Sequence, residues 1–333
     1  MKRNRTHLRL LALAILSAIV FLMSSMTAGA ISIGTMPQST DYTNEVNRRA
    51  RIGEEQGART VHTGIERSVN TYALKTVANK SVYAYKAVSV SLNGRSLALS
   101  GRVINGEVYI PMRSFVESFV SGVVYRYDSA SRTVTVTGAG HNISVSDGAY
   151  ALYASGRVFF TATPSRILSD GRMYVPVSNL SRAFSLSYAV STTGSLSLSG
   201  TPRAVVPGSA FYDADVVYWL SRIISAESRG EPLIGQIAVG NVVLNRVRSS
   251  AFPNTVWGVI FDRKWGVQFS PVSNGTIYNE PAATSVLAAK ICLDGFTVSP
   301  DALYFLRPSA SSSSWIVNTR PFLFVIGNHY FFA

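Results

Sequence analysis

Cysteine, histidine and acid are all scarce in this chain of 333 residues. The single cysteine, Cys292, excludes an intrachain disulfide. It lies among Val286, Leu287, Ala289, Ile291 and Leu293, an apolar helical pattern, and so reads as a small buried hydrophobe rather than a nucleophile. The four histidines are His7, His62, His141 and His329. A zinc centre usually takes about three protein ligands, and only one histidine lies beyond residue 209. No metal and no cofactor are expected. Asp and Glu number 18 against 31 Lys and Arg, a formal net charge of +13. No basic run interleaved with aromatics accompanies that excess, which argues against a nucleic-acid groove. A diffuse positive field instead suits polyanionic surroundings. Charged residues make up only 15% of the chain and hydrophobic ones 47%, which favours folded domains over disorder, and the length allows two of ordinary size.

One uncharged apolar run, Leu10 to Met23, stands near the start. Lys2, Arg3, Arg5 and Arg9 precede it and Ala28-Gly29-Ala30 follows, the pattern of a secretory signal peptide over residues 1–30, cleaved after Ala30. An uncleaved membrane anchor is the alternative, although a span needs roughly 20 apolar residues. On either reading the rest of the chain acts outside the cytoplasm, and the membrane is met only through that segment. Residues 31–84 have scattered charge and little apolar periodicity, and read as a linker or stalk, partly disordered.

From about Ala87 the pattern turns to alternation. Val88 to Leu92 and Ser96 to Leu99 flank Asn93-Gly94, a hairpin signal. An internal repeat follows, in which Gly106, Tyr109, Ile110, Pro111, Phe115 and Phe119 match Gly171, Tyr174, Val175, Pro176, Leu180 and Phe184. Each copy places a turn glycine before a short strand, a proline and a short amphipathic helix. Asn105-Gly106-Glu107-Val108-Tyr109-Ile110-Pro111-Met112-Arg113 and Asp170-Gly171-Arg172-Met173-Tyr174-Val175-Pro176-Val177 resemble the copper amine oxidase N-terminal-like domain, over roughly residues 86–199. The family's name implies no copper here, because His141 is the only histidine in that span and no cysteine completes a soft site. His141 is expected in an exposed turn, and Ser178 stands where the family usually has Arg. The resemblance implies a domain that positions or tethers its neighbour at a wall. Thr201-Pro202 to Pro207-Gly208-Ser209 is a Pro/Gly/Ser break that marks a domain boundary.

Residues 209–333 read as helices followed by hairpins. Val216, Leu220, Ile223 and Ile224 recur at helical spacing, and Glu227 extends the same stripe. A carboxyl group on a buried helix face is costly to ionise, so its pKa should rise, and a carboxyl that keeps its proton near neutral pH can act as a general acid. The alternative is a buried glutamate paired with Arg229 or Arg246. The other carboxylates of this unit have structural readings. Asp213 or Asp215 caps the first helix, Glu280 and Asp294 stand at helix ends, Asp262 occupies a surface turn beside Arg263 and Lys264, and Glu231 is a cap or an ion-pair partner, with a part in catalysis as its alternative.

Ala226-Glu227-Ser228-Arg229-Gly230-Glu231-Pro232, Val242-Val243-Leu244-Asn245-Arg246-Val247, Phe252-Pro253-Asn254-Thr255, Gln268-Phe269-Ser270-Pro271-Val272, Ala302-Leu303-Tyr304-Phe305 and Ile326-Gly327-Asn328-His329-Tyr330-Phe331 resemble, in order, the SleB-type cell-wall hydrolase family, which includes spore cortex-lytic enzymes. The resemblance implies a mainly helical, lysozyme-like domain with a small sheet, and maps the catalytic acid to Glu227. It implies a peptidoglycan glycan strand as substrate, cut between N-acetylmuramic acid or muramic lactam and N-acetylglucosamine by a lytic transglycosylase or a glycosidase. Trp265, Gln268 and Phe269 are candidates to line the glycan cleft. Trp219, Trp257, Trp265, Phe269, Tyr278, Tyr304 and Trp315 suit stacking on sugars, and His329 suits a hydrogen bond nearby; core packing is the competing reading for the aromatic residues. An amidase and a non-catalytic wall-binding protein are the alternatives. The whole is thus expected to be an α+β multidomain chain, with an α/β repeat domain over 85–201 and a helical unit over 209–333. It is expected at a cell wall or spore envelope among anionic wall polymers, with cortex and vegetative wall both open as substrate.

Overall fold

The computed structural model describes residues 86–191, 194–308 and 314–333. The signal peptide and stalk expected over 1–84 lie outside the described residues. Among the described residues no helix is long and apolar enough to cross a membrane.

The first part of the chain is richer in strands than its sequence suggests. β1 (Lys86–Leu92), β2 (Arg95–Ile104) and β3 (Glu107–Pro111) lead into a short helix α1 (Met112–Glu117). A meander then runs through β4 (Val124–Asp128), β5 (Thr133–Gly138), β6 (His141–Ser146), β7 (Ala151–Ala154) and β8 (Arg157–Phe160). After β9 (Arg166–Ile167) and β10 (Met173–Pro176) come α2 (Val177–Ala183), β11 (Ser187–Val190) and β12 (Ser195–Ser199). The strands form a seven-stranded sheet, ordered β11-β12-β1-β2-β3-β10-β9, and the five-stranded meander β4 to β8. Among the strands of these two sheets only β1 and β12 pair in parallel. This corrects the expected alternation of strands with short helices, because 133–160 adds four strands of the meander. Thr and Ser alternate there with single apolar residues, too weak a signal to single out from sequence.

β3 and β10 pair antiparallel, Val175 opposite Ile110, and each ends in the proline from which a helix starts. Proline fits there because the first turn of a helix has no internal acceptor for an N–H. Both helices turn Phe115, Leu180 and Phe184 inward, so Val88, Ile110, Val136, Ile143, Val175 and Leu196 join one core between the two sheets. His141 is not the exposed turn residue expected. It opens β6, buried against Phe184 with ring centroids 5.3 Å apart.

The second part is built around three helices. A turn of helix, α3 (Gly208–Phe211), precedes α4 (Ala214–Ser228), α5 (Leu233–Arg248), α6 (Val256–Ile260), α7 (Ser270–Asn274), a 3₁₀ turn (Thr276–Tyr278) and α8 (Ala283–Leu293). The chain ends in β13 (Tyr304–Leu306), α9 (Ser314–Thr319), β14 (Phe322–Ile326) and β15 (His329–Phe332), with the sheet ordered β13-β15-β14. Asp213 caps α4 by accepting from the Val216 N–H. Val216, Leu220, Ile223 and Ile224 are all buried, as their spacing requires. Shortening Leu220 to Ala would cost about 2–5 kcal/mol, the usual penalty for an empty core site. α5 is buried nearly all round, so its polar groups need partners. Asn241 and Asn245 supply them by bonding the backbone of the 296–302 segment. α4 and α8 approach α5 so closely at Gly240 that a Cβ there would lie 2.8 Å from both Cys292 Sγ and Ile224 Cδ1.

The two parts share a core. Ala151, Val158 and Phe160 from the meander pack in the same cluster as α4, α5 and α8. At that junction the Asp294 side chain is wholly buried, at the end of α8 and against Arg157 of β8.

Candidate functional site

Glu227 sits one residue from the end of α4. Its half-buried carboxyl forms no ion pair or hydrogen bond with the described residues. Neither Arg229 nor Arg246 pairs with it, so burial acts unopposed. Desolvation disfavours the charged form and pushes the pKa up to about 7. The group therefore holds its proton over much of the neutral range.

Glu231, one helical turn further on, has the opposite environment. The chain leaves α4 at Arg229, and the Glu231 N–H bonds the Ser228 carbonyl at 2.9 Å. The Glu231 side chain then crosses to the β14–β15 turn. Oε2 accepts from the Asn328 backbone N–H at 2.9 Å and Oε1 from Asn328 Nδ2 at 2.8 Å. Burial raises its pKa, but the two Asn328 bonds, with His329 and Arg307 nearby, outweigh it and hold the group below the ordinary carboxylate range. His329 Nδ1 lies 3.8 Å from Oε1, yet burial keeps the imidazole below its usual pKa. At neutral pH this is a carboxylate beside a neutral ring, and His329 Nδ1 has no hydrogen-bond partner. Two carboxyls four residues apart are thus driven in opposite directions, one kept protonated and one kept charged, the usual mark of divided roles.

Five of the six sequence-predicted binding residues meet in one network centred on Arg246. Its guanidinium is buried, which pulls its pKa down to about 10 and still leaves it charged at neutral pH. Nε donates to the Leu303 carbonyl at 2.7 Å and Nη1 to Gln268 Oε1 at 3.5 Å. The rings of Phe252, Phe269 and Tyr304 lie 4.9, 5.3 and 5.2 Å from it. Tyr304 meets Trp315 edge-on at 5.9 Å, and Arg320 covers both rings. Phe305 links Phe269 to His329. Phe269 is buried, which corrects the expectation that it lines the glycan cleft, and His329 is buried beside it. They form the wall behind the surface, because Arg246 needs aromatic faces and a carbonyl around a charge taken out of water. Trp265 stands apart on an exposed loop, 81% accessible, with Lys264 Nζ 5.5 Å from its ring centre.

The sequence reading missed Arg246 as the hub and Asn328 as the partner of Glu231. A lone arginine amid Val242, Val243, Leu244 and Val247 was the available signal for the first. For the second there was none, since the partners are 97 residues apart. Among the described residues no group of three or more His, Cys, Asp or Glu could hold a metal ion.

Comparison with known proteins bears on both parts. Residues 230–332 match the family described as Cell Wall Hydrolase, a match that opens three residues after Glu227, and residues 91–194 match the Copper amine oxidase N-terminal domain. A spore cortex-lytic enzyme of Bacillus cereus is 41% identical over 120 residues, covering 36% of this chain and 45% of that protein. One from Bacillus subtilis is 40% identical over 112 residues, covering 34% and 35%. The chain thus spans less than half the length of the curated relatives it matches. The solved catalytic domain of a germination-specific lytic transglycosylase from Bacillus anthracis is 39% identical, covers 38% of this chain and is itself covered in full, with a TM-score of 0.34.

Proposed function

We propose, on the premise that the C-terminal domain of this chain belongs to the cell wall hydrolase family, that it cleaves peptidoglycan glycan strands as a lytic transglycosylase. Glu227 is the acid. Its protonated carboxyl donates to the oxygen bridging N-acetylmuramic acid and N-acetylglucosamine as the C1–O bond breaks, and the glucosamine leaves with a free 4-hydroxyl. The resulting carboxylate takes the proton from the muramic 6-hydroxyl, whose oxygen closes on C1. One carboxyl serves both steps, the product is a 1,6-anhydro sugar, and no water is consumed.

The observation that carries this reading is the partnerless, desolvated state of Glu227 beside a Glu231 whose two oxygens are both taken by Asn328. A glycosidase that hydrolyses with two carboxyl groups needs the second one free to act as nucleophile or base. Gln268, Tyr304, Trp315 and the exposed Trp265 are the residues we assign to the sugar, with Phe269 and His329 behind them. The finer description of the fold belongs to the same reading: a lysozyme-like unit over 209–333, and two copies of one strand-proline-helix unit over 85–201, supported by the paired β3 and β10. Residues 1–30 as a signal peptide and 31–84 as a stalk complete an extracytoplasmic enzyme of the cell wall or spore cortex. A zymogram on purified sacculi tests the assignment. Glu227→Gln should leave no cleared zone at protein amounts where the wild type clears fully, and clearing equal to wild type would remove Glu227 from the chemistry.

A further inference from the structure

Around Trp219 of α4 stands a second aromatic group that the proposed reaction does not use. Trp219 projects from the helix eight residues before Glu227, about 12 Å along the axis at ~1.5 Å per residue. Its ring meets Phe261 edge-on at 5.1 Å and Tyr278 at 6.2 Å, while Trp257 lies stacked on Phe261 at 5.1 Å. The ends of this row face water, Trp257 being 46% exposed and Tyr278 60%. Trp219 and Phe261 pack against the helical core, and it is the two outer rings that leave apolar area uncovered, as binding surfaces do.

The row is also held rigid. Arg222 Nη2 donates to Glu280 Oε2 at 3.1 Å while its guanidinium lies 3.8 Å from the centre of the Tyr218 ring. One turn along α4, Ser225 Oγ accepts from the Ala282 N–H at 3.0 Å. These contacts fasten the segment carrying Tyr278 onto α4 at two points, on the stretch of helix between Trp219 and Glu227. A fixed platform loses little conformational entropy when it binds.

We propose that Trp219, Trp257 and Tyr278 form a distal subsite that stacks on sugar rings of the uncut glycan strand, about two helical turns from the cleavage point. The inference rests on the reading of the chain as a glycan-strand enzyme. A polymeric substrate extends past the scissile bond in both directions, and a platform on the helix that carries the acid lies where the strand can continue. A flat apolar ring face with a polar rim suits the axial hydrogens and equatorial hydroxyls of such sugars.

The test uses the full chain carrying Glu227→Gln, so that strands are bound without being cut. The probe is peptide-free glycan strands of two length classes, one long and one of two disaccharides. Trp257→Ala with Tyr278→Ser should weaken binding of long strands by about tenfold, the scale of losing two contact aromatics, while binding of the short ones changes far less. Tyr278→Ser alone, at the more exposed position, should show part of the same loss and serves if the double substitution lowers the melting temperature. Equal affinity of parent and both variants for long strands overturns the subsite. That outcome is separate from a failure of the reaction itself, which would appear as lysis retained by Glu227→Gln in otherwise native protein.

Discussion

Asp294 and Arg157 form a buried ion pair across the junction of the two domains, 137 residues apart in the chain. Arg157 Nε and Nη2 both reach Asp294 Oδ1, at 2.7 and 2.6 Å. Oδ2 accepts from the Val158 N–H at 2.9 Å and from the Tyr212 hydroxyl. Arg182 donates to the Asp294 carbonyl at 3.4 Å. Four residues thus donate to one at the end of α8, and the meander is bolted to the helical unit.

Removing one member of such a cluster strands the others. Asp294→Ala should cost about 3–5 kcal/mol, the usual penalty for leaving a buried charge without its partner. Calorimetry should show the single transition of the wild type replaced by two, as the domains uncouple. One transition within about 1 kcal/mol of wild type would show that the cluster contributes little beyond the apolar contacts of Val158 and Phe160.

Gly327 and Glu231 make a second coupled pair. Gly327 has a φ of 57°, and a Cβ there would overlap the Glu231 carboxylate. Gly327→Ala should therefore destabilise the β14–β15 turn by about 1–3 kcal/mol and reduce lysis. Much of that loss should be absent when Glu231→Ala is already present, because the clash is gone and only the backbone strain remains. Additive losses in a double-mutant cycle would contradict the contact.

Arg246 tests whether the aromatic network around it needs a planar fork. Arg246→Lys keeps the charge but cannot bond Leu303 and Gln268 together while lying against three rings. It should lower stability by about 2–4 kcal/mol, a value consistent with disturbing a buried charge. Chemical denaturation measures it. Wild-type stability in the lysine variant would mean the charge alone suffices.

Much of this was legible in the sequence wherever the signal was local. The Asn93-Gly94 turn shows its left-handed backbone, and the apolar stripe of α4 is buried as its spacing requires. What could not be read depends on partners far along the chain. Asp294 read as a helix-end residue because nothing near it shows that Arg157 and Tyr212 will close over it. Phe269 read as a cleft residue because a loop aromatic looks the same from sequence whether it faces sugar or Arg246. The strands over 133–160 were missed since Ser and Thr on one face gave too little contrast with the core face.

The raised pKa of Glu227 also predicts a dependence of stability on pH. A carboxyl whose folded pKa lies above its unfolded value favours the native state fully at low pH, and that advantage is lost as pH rises through the folded value. For Glu227 the loss runs from the ordinary range near 4.5 up to about 7. Glu227→Gln cannot ionise, so it should gain on the wild type by about 1–3 kcal/mol between pH 5 and pH 8. Lysis by the wild type should fall as pH rises past about 7, when the acid has lost its proton. A pH-independent stability difference between the two would mean the carboxyl titrates in the native state as it does in the unfolded chain.

The most direct measurement is digestion of sacculi in water enriched in ¹⁸O, with mass spectrometry of the released muropeptides. If Glu227 takes back the proton and the muramic 6-hydroxyl closes on C1, the new muramic ends are 1,6-anhydro sugars that carry no heavy oxygen. Reducing ends labelled with ¹⁸O would show that water attacks C1, and that a second group beside Glu227 shares the reaction.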